Sequence, residues 1–234
     1  MRYWARVASL PCRVRAGPRW LYRWENDMTM TSLLAFLGAS IVLTLAPGPD
    51  NTFVIAQGLS RGRKAAIVTA LGMCSGISVH TTAAALGISA VLYSSAWAFT
   101  LLKYVGAAYL LYLAYKALKE HSIVITQTDG APVRLRVLFR RGFIMNVLNP
   151  KVALFFLAFL PQFVSPDGIR PALQMIVLGL VFMAQGMVIF SVIGYLSGSV
   201  GNLILKRPNI ARYFSWLSAA IFASLGLHLA LAGR

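Results

Sequence analysis

A chain of 234 residues that is 58% hydrophobic and only 12% charged is not an ordinary soluble domain, in which about 25% of residues carry charge. Its mean hydropathy of +0.70 and its long apolar runs make it a polytopic membrane protein. The net charge of +16 does not mark a nucleic-acid-binding face, because the basic residues sit between apolar runs, where they set topology.

Residues 1–29 differ from the rest of the chain. They hold Arg2, Arg6, Arg13, Arg15, Arg19 and Arg23, and no apolar core long enough for a signal peptide. A basic amphipathic anchor is one reading of this extension. The preferred reading is that translation starts at Met28 or Met30. N-terminal mass measurement of the natively expressed protein decides this, since peptides before Met28 exclude the later start. Cys12 and Cys74 have no metal-ligand spacing, and no disulfide, redox chemistry, metal or cofactor is expected from them.

From residue 30 onward six apolar spans are expected, near 32–56, 65–93, 96–118, 143–164, 172–196 and 211–231. The first is interrupted by Ala46-Pro47-Gly48-Pro49-Asp50-Asn51. Two prolines remove backbone donors, and glycine frees the chain between them. Residues 31–46 reach roughly 24 Å as helix, short of a hydrocarbon core of about 30 Å. The break therefore falls inside the bilayer or at its edge. Irregular backbone at that depth must be buried in protein or line a wet cavity, and an ionisable group there points to function. Asp50 is the only acid set inside an apolar run. The plainer alternative is a surface turn in which Asp50 caps the next segment.

The second span is rich in small residues, and Gly72 and Gly76 form a G-x-x-x-G that lets helices approach closely. The third carries Trp97, Phe99, Tyr104, Tyr109, Tyr112 and Tyr115, which read as packing residues and an interfacial belt. Three links hold most of the basic residues beyond residue 29: Arg61, Arg63 and Lys64; Lys116 and Lys119 through Arg141; and Lys206, Arg207 and Arg212. The other two contain only Arg170. The positive-inside rule then places the basic links in the cytoplasm and both termini outside. A polar linker over 121–133 divides the 30–234 domain into halves, 30–120 and 134–234. Asn149-Pro150-Lys151, at the start of the fourth span, answers Pro49-Asp50-Asn51 in the first. The expected fold is an all-α membrane protein with six transmembrane helices in a 3+3 inverted repeat. Its first and fourth spans are broken by proline, a pattern that places a binding site between the breaks.

The run 46–51, with Gln57-Gly58-Leu59-Ser60-Arg61-Gly62-Arg63, Ala70-Leu71-Gly72 and Gly76, resembles the LysE/RhtB family of bacterial amino-acid exporters. So does the later run of Arg140-Arg141-Gly142-Phe143, Asn146, Asn149-Pro150-Lys151 and Pro161-Gln162-Phe163. The resemblance covers residue 31 to the C-terminus. It implies secondary export of amino acids or close derivatives across the inner membrane, driven by an ion gradient, with H+ as the expected ion. The motifs do not separate basic from neutral substrates; neutral ones of the threonine, homoserine or leucine type are taken first. Lipid is the expected surrounding, nucleic acid is not expected as a partner, and the small-residue faces permit a homodimer.

Within that reading the candidate substrate and ion site comprises Pro47, Gly48, Pro49, Asp50, Asn51, His80, Asn146, Asn149, Pro150 and Lys151. Asp50 either takes up a proton for coupling or holds a substrate ammonium as a fixed charge. Free backbone N–H groups near Gly48 or the Lys151 ammonium can meet a carboxylate. Lys151 can equally snorkel to the interface. Asn146 and Asn149 bond substrate or satisfy backbone opened by Pro150. His80 relays protons or bonds another helix, and Gln185 and His228 are weaker candidates. A membrane enzyme is the rival reading. It lacks support from any His-Glu zinc motif, nucleophile elbow or phosphate-cradling loop. A passive channel is the third.

Overall fold

The computed structural model describes residues 30–46, 48–88, 96–119, 133–165, 170–206 and 208–231, and all regular structure among them is helical. The 1–29 extension, Pro47 and nearly all of the 121–133 linker lie outside the described residues. Helix α1 (Met30–Leu45) stops at the Pro-Gly-Pro break, where Gly48 is extended at φ −171°. Pro49 then starts α2 (Pro49–Arg61) at the position where its missing N–H and fixed φ are tolerated. Gly62 ends α2 at φ +82°, a left-handed conformation suited to glycine, and its N–H bonds the Gly58 carbonyl at 3.0 Å. Helix α3 (Arg63–Ala83) follows at once and runs into a π-helical turn at Ala84–Ile88.

The first half ends with α4 (Ala96–Lys119). In the second half, α5 (Leu135–Val147) and α6 (Pro150–Leu154) meet at the Asn149-Pro150 break. Helix α6 passes into a π turn over Phe155–Phe159 and a tight turn over Leu160–Phe163. Two long helices complete the bundle, α7 (Pro171–Lys206) and α8 (Pro208–Leu231).

The fourth element corrects the expected 143–164 span. Its helix begins at Leu135, so Asn149-Pro150-Lys151 lies in the middle of a bent pair and not at its start. Arg136, Arg140 and Arg141 gave this stretch the look of a link. In the fold they face outward, while Leu138, Gly142 and Asn146, four residues apart, form a buried stripe. The bends are 55° between α1 and α2 and 47° between α5 and the segment Pro150–Phe163.

By length and composition, Arg63–Gly87 and Pro171–Ser197 can each cross a membrane, and each bent pair can cross as one span, giving two to four candidates. Helix α4 has 24 residues, about 36 Å of rise, but Lys103 and four tyrosines dilute its apolar character. Its Trp97, Tyr104, Tyr112 and Tyr115 are exposed on the outer surface, where a belt belongs.

Close packing is concentrated on glycine. A Cβ on Gly72 of α3 would strike the Phe139 backbone carbonyl of α5, and one on Gly142 of α5 would strike the Thr69 carbonyl of α3. The same helix α3 meets α7, where Gly179 lies against Thr81 and Gly194 against Ala66. Helices α4 and α8 pack together, Gly226 meeting Ala107 and Leu110. At the centre Phe36, Phe155, Phe156, Phe159 and Phe182 form a ring cluster, with Phe155 and Phe159 stacked 5.0 Å apart.

Candidate functional site

Both breaks place a proline at the first turn of the following helix and a charged residue directly after it: Pro49-Asp50 on α2 and Pro150-Lys151 on α6. The two breaks face each other. Asn149 connects them, because its Oδ1 accepts the Lys151 N–H at 3.0 Å while its Nδ2 donates to Asp50 Oδ2 at 2.6 Å. The oxygen caps α6 as an N-cap side chain should, and that choice fixes which end of the amide reaches the carboxylate. One residue thus supports the helix start and holds the acid.

The carboxyl end of α1 supplies the opposite wall. Asn51 Nδ2 lies 3.1–3.3 Å from the carbonyl oxygens of Thr44, Leu45 and Ala46, which have no helical partner beyond the break. Lys151 Nζ lies 3.4 Å from the carbonyls of Leu43 and Ala46, and 3.9 Å from Asp50 Oδ2. Gly48 gives it room, since a Cβ there would lie 3.2 Å from Nζ. Thr44 Oγ1 donates to the Ser40 carbonyl at 2.8 Å and so accepts from Gln185 Nε2 at 3.0 Å, tying α7 to α1.

His80 reaches the site through the other break. Its Nε2 lies 3.0 Å from the Asn146 carbonyl, which also accepts the Asn149 N–H at 2.9 Å. Because a carbonyl can only accept, Nε2 carries the proton. Replacing His80 by leucine is expected to cost about 1–3 kcal/mol of stability, and His80→Gln, which keeps a donor, less than half of that. Thermal unfolding of the purified protein checks this; equal losses would mean the bond contributes nothing.

Polar groups in the site are shut off from solvent: Asp50 is 2% exposed, Asn146 2%, Asn149 4% and Lys151 5%. Four acceptors in this region are nevertheless unpartnered among the described residues, namely Asp50 Oδ1, Asn51 Oδ1, Asn146 Oδ1 and Gln185 Oε1. Buried polar atoms are normally satisfied, so the spare oxygen of Asp50, with that of Asn51 next to it in the chain, marks a place built for a donor. Spare oxygens beside a carboxylate and a helix carboxyl end suit a cation with N–H groups.

Of the expected residues, Gly48, Pro49, Asp50, Asn51, His80, Asn146, Asn149, Pro150 and Lys151 come together here, and Pro47 lies outside the described residues. Lys151 is buried beside Asp50, not snorkelling to an interface. Gln185 joins the site, whereas His228 stands apart on α8, exposed and against Phe159. Sequence reasoning missed Thr44 and Ser40. Their signal was available: two hydroxyls four apart in the otherwise apolar stretch 33–45, just before a break.

A family model described as LysE type translocator matches residues 41–233. A protein of Vibrio cholerae described as an uncharacterized membrane protein is 31% identical over 199 residues, covering 85% of this chain and 96% of its own length. The homoserine/homoserine lactone efflux protein of Salmonella typhimurium is 28% identical over 211 residues, covering 88% and 98%. The leucine efflux protein of Klebsiella pneumoniae is 28% identical over 209 residues, covering 87% and 97%. No solved structure matches.

Proposed function

This chain belongs to the LysE type translocator family and is a membrane transporter, not an enzyme; from that premise we propose that it is a secondary active exporter of neutral amino acids or close derivatives. The observation that carries the reading is Asp50, held by Asn149 through one oxygen with the other unpartnered, in a closed site opposite Lys151. An amino acid has the complementary pair of charges. Its ammonium meets Asp50 Oδ1 and the neighbouring amide oxygens, and its carboxylate meets the Lys151 ammonium or the first N–H groups of α2.

Neutral substrates are favoured for a reason of charge. Asp50 is the only carboxylate among the described residues, so a basic side chain finds no second acid there. The names of two relatives, for homoserine/homoserine lactone efflux and leucine efflux, point the same way.

The expected six crossings are part of this proposal. Each bent pair counts as one, with α3, α4, α7 and α8 as the others, and the helix packing supports an inverted repeat. Exchanging the halves turns the α1–α7 contact into the α5–α3 contact and leaves α3–α7 and α4–α8 unchanged. The site then lies at the repeat interface, where rocking of one half on the other exposes it alternately to each side. Basic links on the cytoplasmic face of the bacterial inner membrane fix the direction. A proton gradient drives the cycle, because a proton and a substrate ammonium compete for the same carboxylate.

Counterflow tests the carrier. Proteoliposomes loaded with one unlabelled neutral amino acid should transiently accumulate the same labelled amino acid from outside. A passive channel gives equilibration with no overshoot, and that result rejects the proposal.

A further inference from the structure

We infer that the Asp50 carboxylate and the carboxyl end of α1 form a binding site for a primary ammonium, and that the Lys151 side chain holds this site as a tethered occupant. The inference deepens the exporter reading and rests on it for its purpose, though the geometry and the test stand apart from transport. Lys151 Nζ is surrounded by oxygens, those of Leu43, Ala46 and Asp50, yet its distances to them are 3.4, 3.4 and 3.9 Å. A charge-assisted N–H···O contact closes to about 2.7–2.9 Å. The atoms around the ammonium are right for it, while every contact is long.

A second observation points to a ligand. Asp50 Oδ1 and Asn51 Oδ1 are buried and unpartnered at the same place, so the tethered ammonium leaves acceptors over. An untethered ammonium, free to turn its three N–H groups, can use them. Lysine is suited to the role, being a compact point charge on a flexible stem, where arginine would lock into a fork.

The arrangement solves a problem of the empty carrier. A lone carboxylate in a dry site between helices is strongly disfavoured, and the Lys151 ammonium offsets part of that penalty whenever no substrate is bound. When an amino acid enters, its ammonium takes Asp50 and the displaced Lys151 meets its carboxylate. A zwitterion thus exchanges in with no change in the net charge of the site. A simple amine lacks the carboxylate and leaves Lys151 without a partner, which gives selectivity for amino acids over amines.

The test uses full-length purified protein in detergent, with methylammonium chloride or tetramethylammonium chloride added at equal ionic strength. Lys151→Met should gain a saturable rise in Tm of about 2–4 °C or more with methylammonium. It should gain none with tetramethylammonium, which has no N–H, and wild type and the double variant Asp50→Asn/Lys151→Met should stay flat with both. Folded Lys151→Met that stays flat, or wild type that rises as steeply as the variant, overturns the inference. Should Lys151→Met fail to fold, recovery of folded protein by methylammonium during expression and extraction supports the site. Recovery only by adding Asp50→Asn, or by neither, overturns it. If the cation effect is found and no amino acid is carried, the exporter reading fails and the ammonium site stands.

Discussion

Asp50→Asn should lower gradient-driven export and substrate exchange together, by at least roughly 30-fold. The substitution keeps size and shape but removes the charge that faces Lys151 across 3.9 Å. Truncating one member of a buried charge pair typically costs about 2–5 kcal/mol, and the lower figure already corresponds to a factor of about 30. Both processes fail because both require the substrate ammonium to be bound. Were Asp50 only a proton carrier, exchange would survive while driven export was lost. Size-exclusion behaviour and thermal unfolding must show that the variant is folded, since Lys151 is left without its counter-charge. Measuring the two rates on the same proteoliposomes separates the alternatives.

The other large effect is expected in helix packing. Gly72→Ala and Gly142→Ala each put a methyl group into backbone of the facing helix, the carbonyls of Phe139 and Thr69 respectively. A flexible side chain can move aside, but a helix backbone cannot, so α3 and α5 must separate. Overpacking of this kind costs about 1–3 kcal/mol, and larger side chains such as leucine at Gly72 should leave no folded protein. Gly38 of α1 is the internal control, since a Cβ there would meet nothing within 4 Å. Gly38→Ala should hold or gain stability, by up to about 1 kcal/mol from helix propensity. Equal Tm for Gly72→Ala and Gly38→Ala would show that the α3–α5 contact has room for a methyl group.

How much of this was legible beforehand depends on the kind of signal each residue gives. Pro47-Gly48-Pro49 is a local backbone statement, so the first break could be placed to within a residue or two, although Pro47 itself lies outside the described residues. Asn149-Pro150 is equally local, but its place within the helix pair was misjudged. Charge near residues 136–141 outweighed the four-residue spacing of Leu138, Gly142 and Asn146. G-x-x-x-G at Gly72 and Gly76 announced a close contact without naming α5 as the partner. What no local pattern carries is the pairing across 99 residues, in which the Asn149 amide caps α6 with one end and grips Asp50 with the other. The choice between a snorkelling and a buried Lys151 depended on that same pairing. Thr44 could have been read and was not, because one hydroxyl in a membrane helix is ordinarily satisfied by its own backbone, as Thr44 indeed is through Ser40.

Movement of amino acids against a gradient is the activity we propose for the closed site around Asp50 and Lys151. It is tested most directly by uptake into inverted membrane vesicles, with a panel of labelled amino acids and with or without an imposed proton gradient. Wild-type vesicles should accumulate one or a few neutral amino acids when the gradient is imposed, and vesicles carrying Asp50→Asn should accumulate none. Absence of accumulation for every amino acid, in vesicles shown to contain the folded wild-type protein, would contradict the proposed activity.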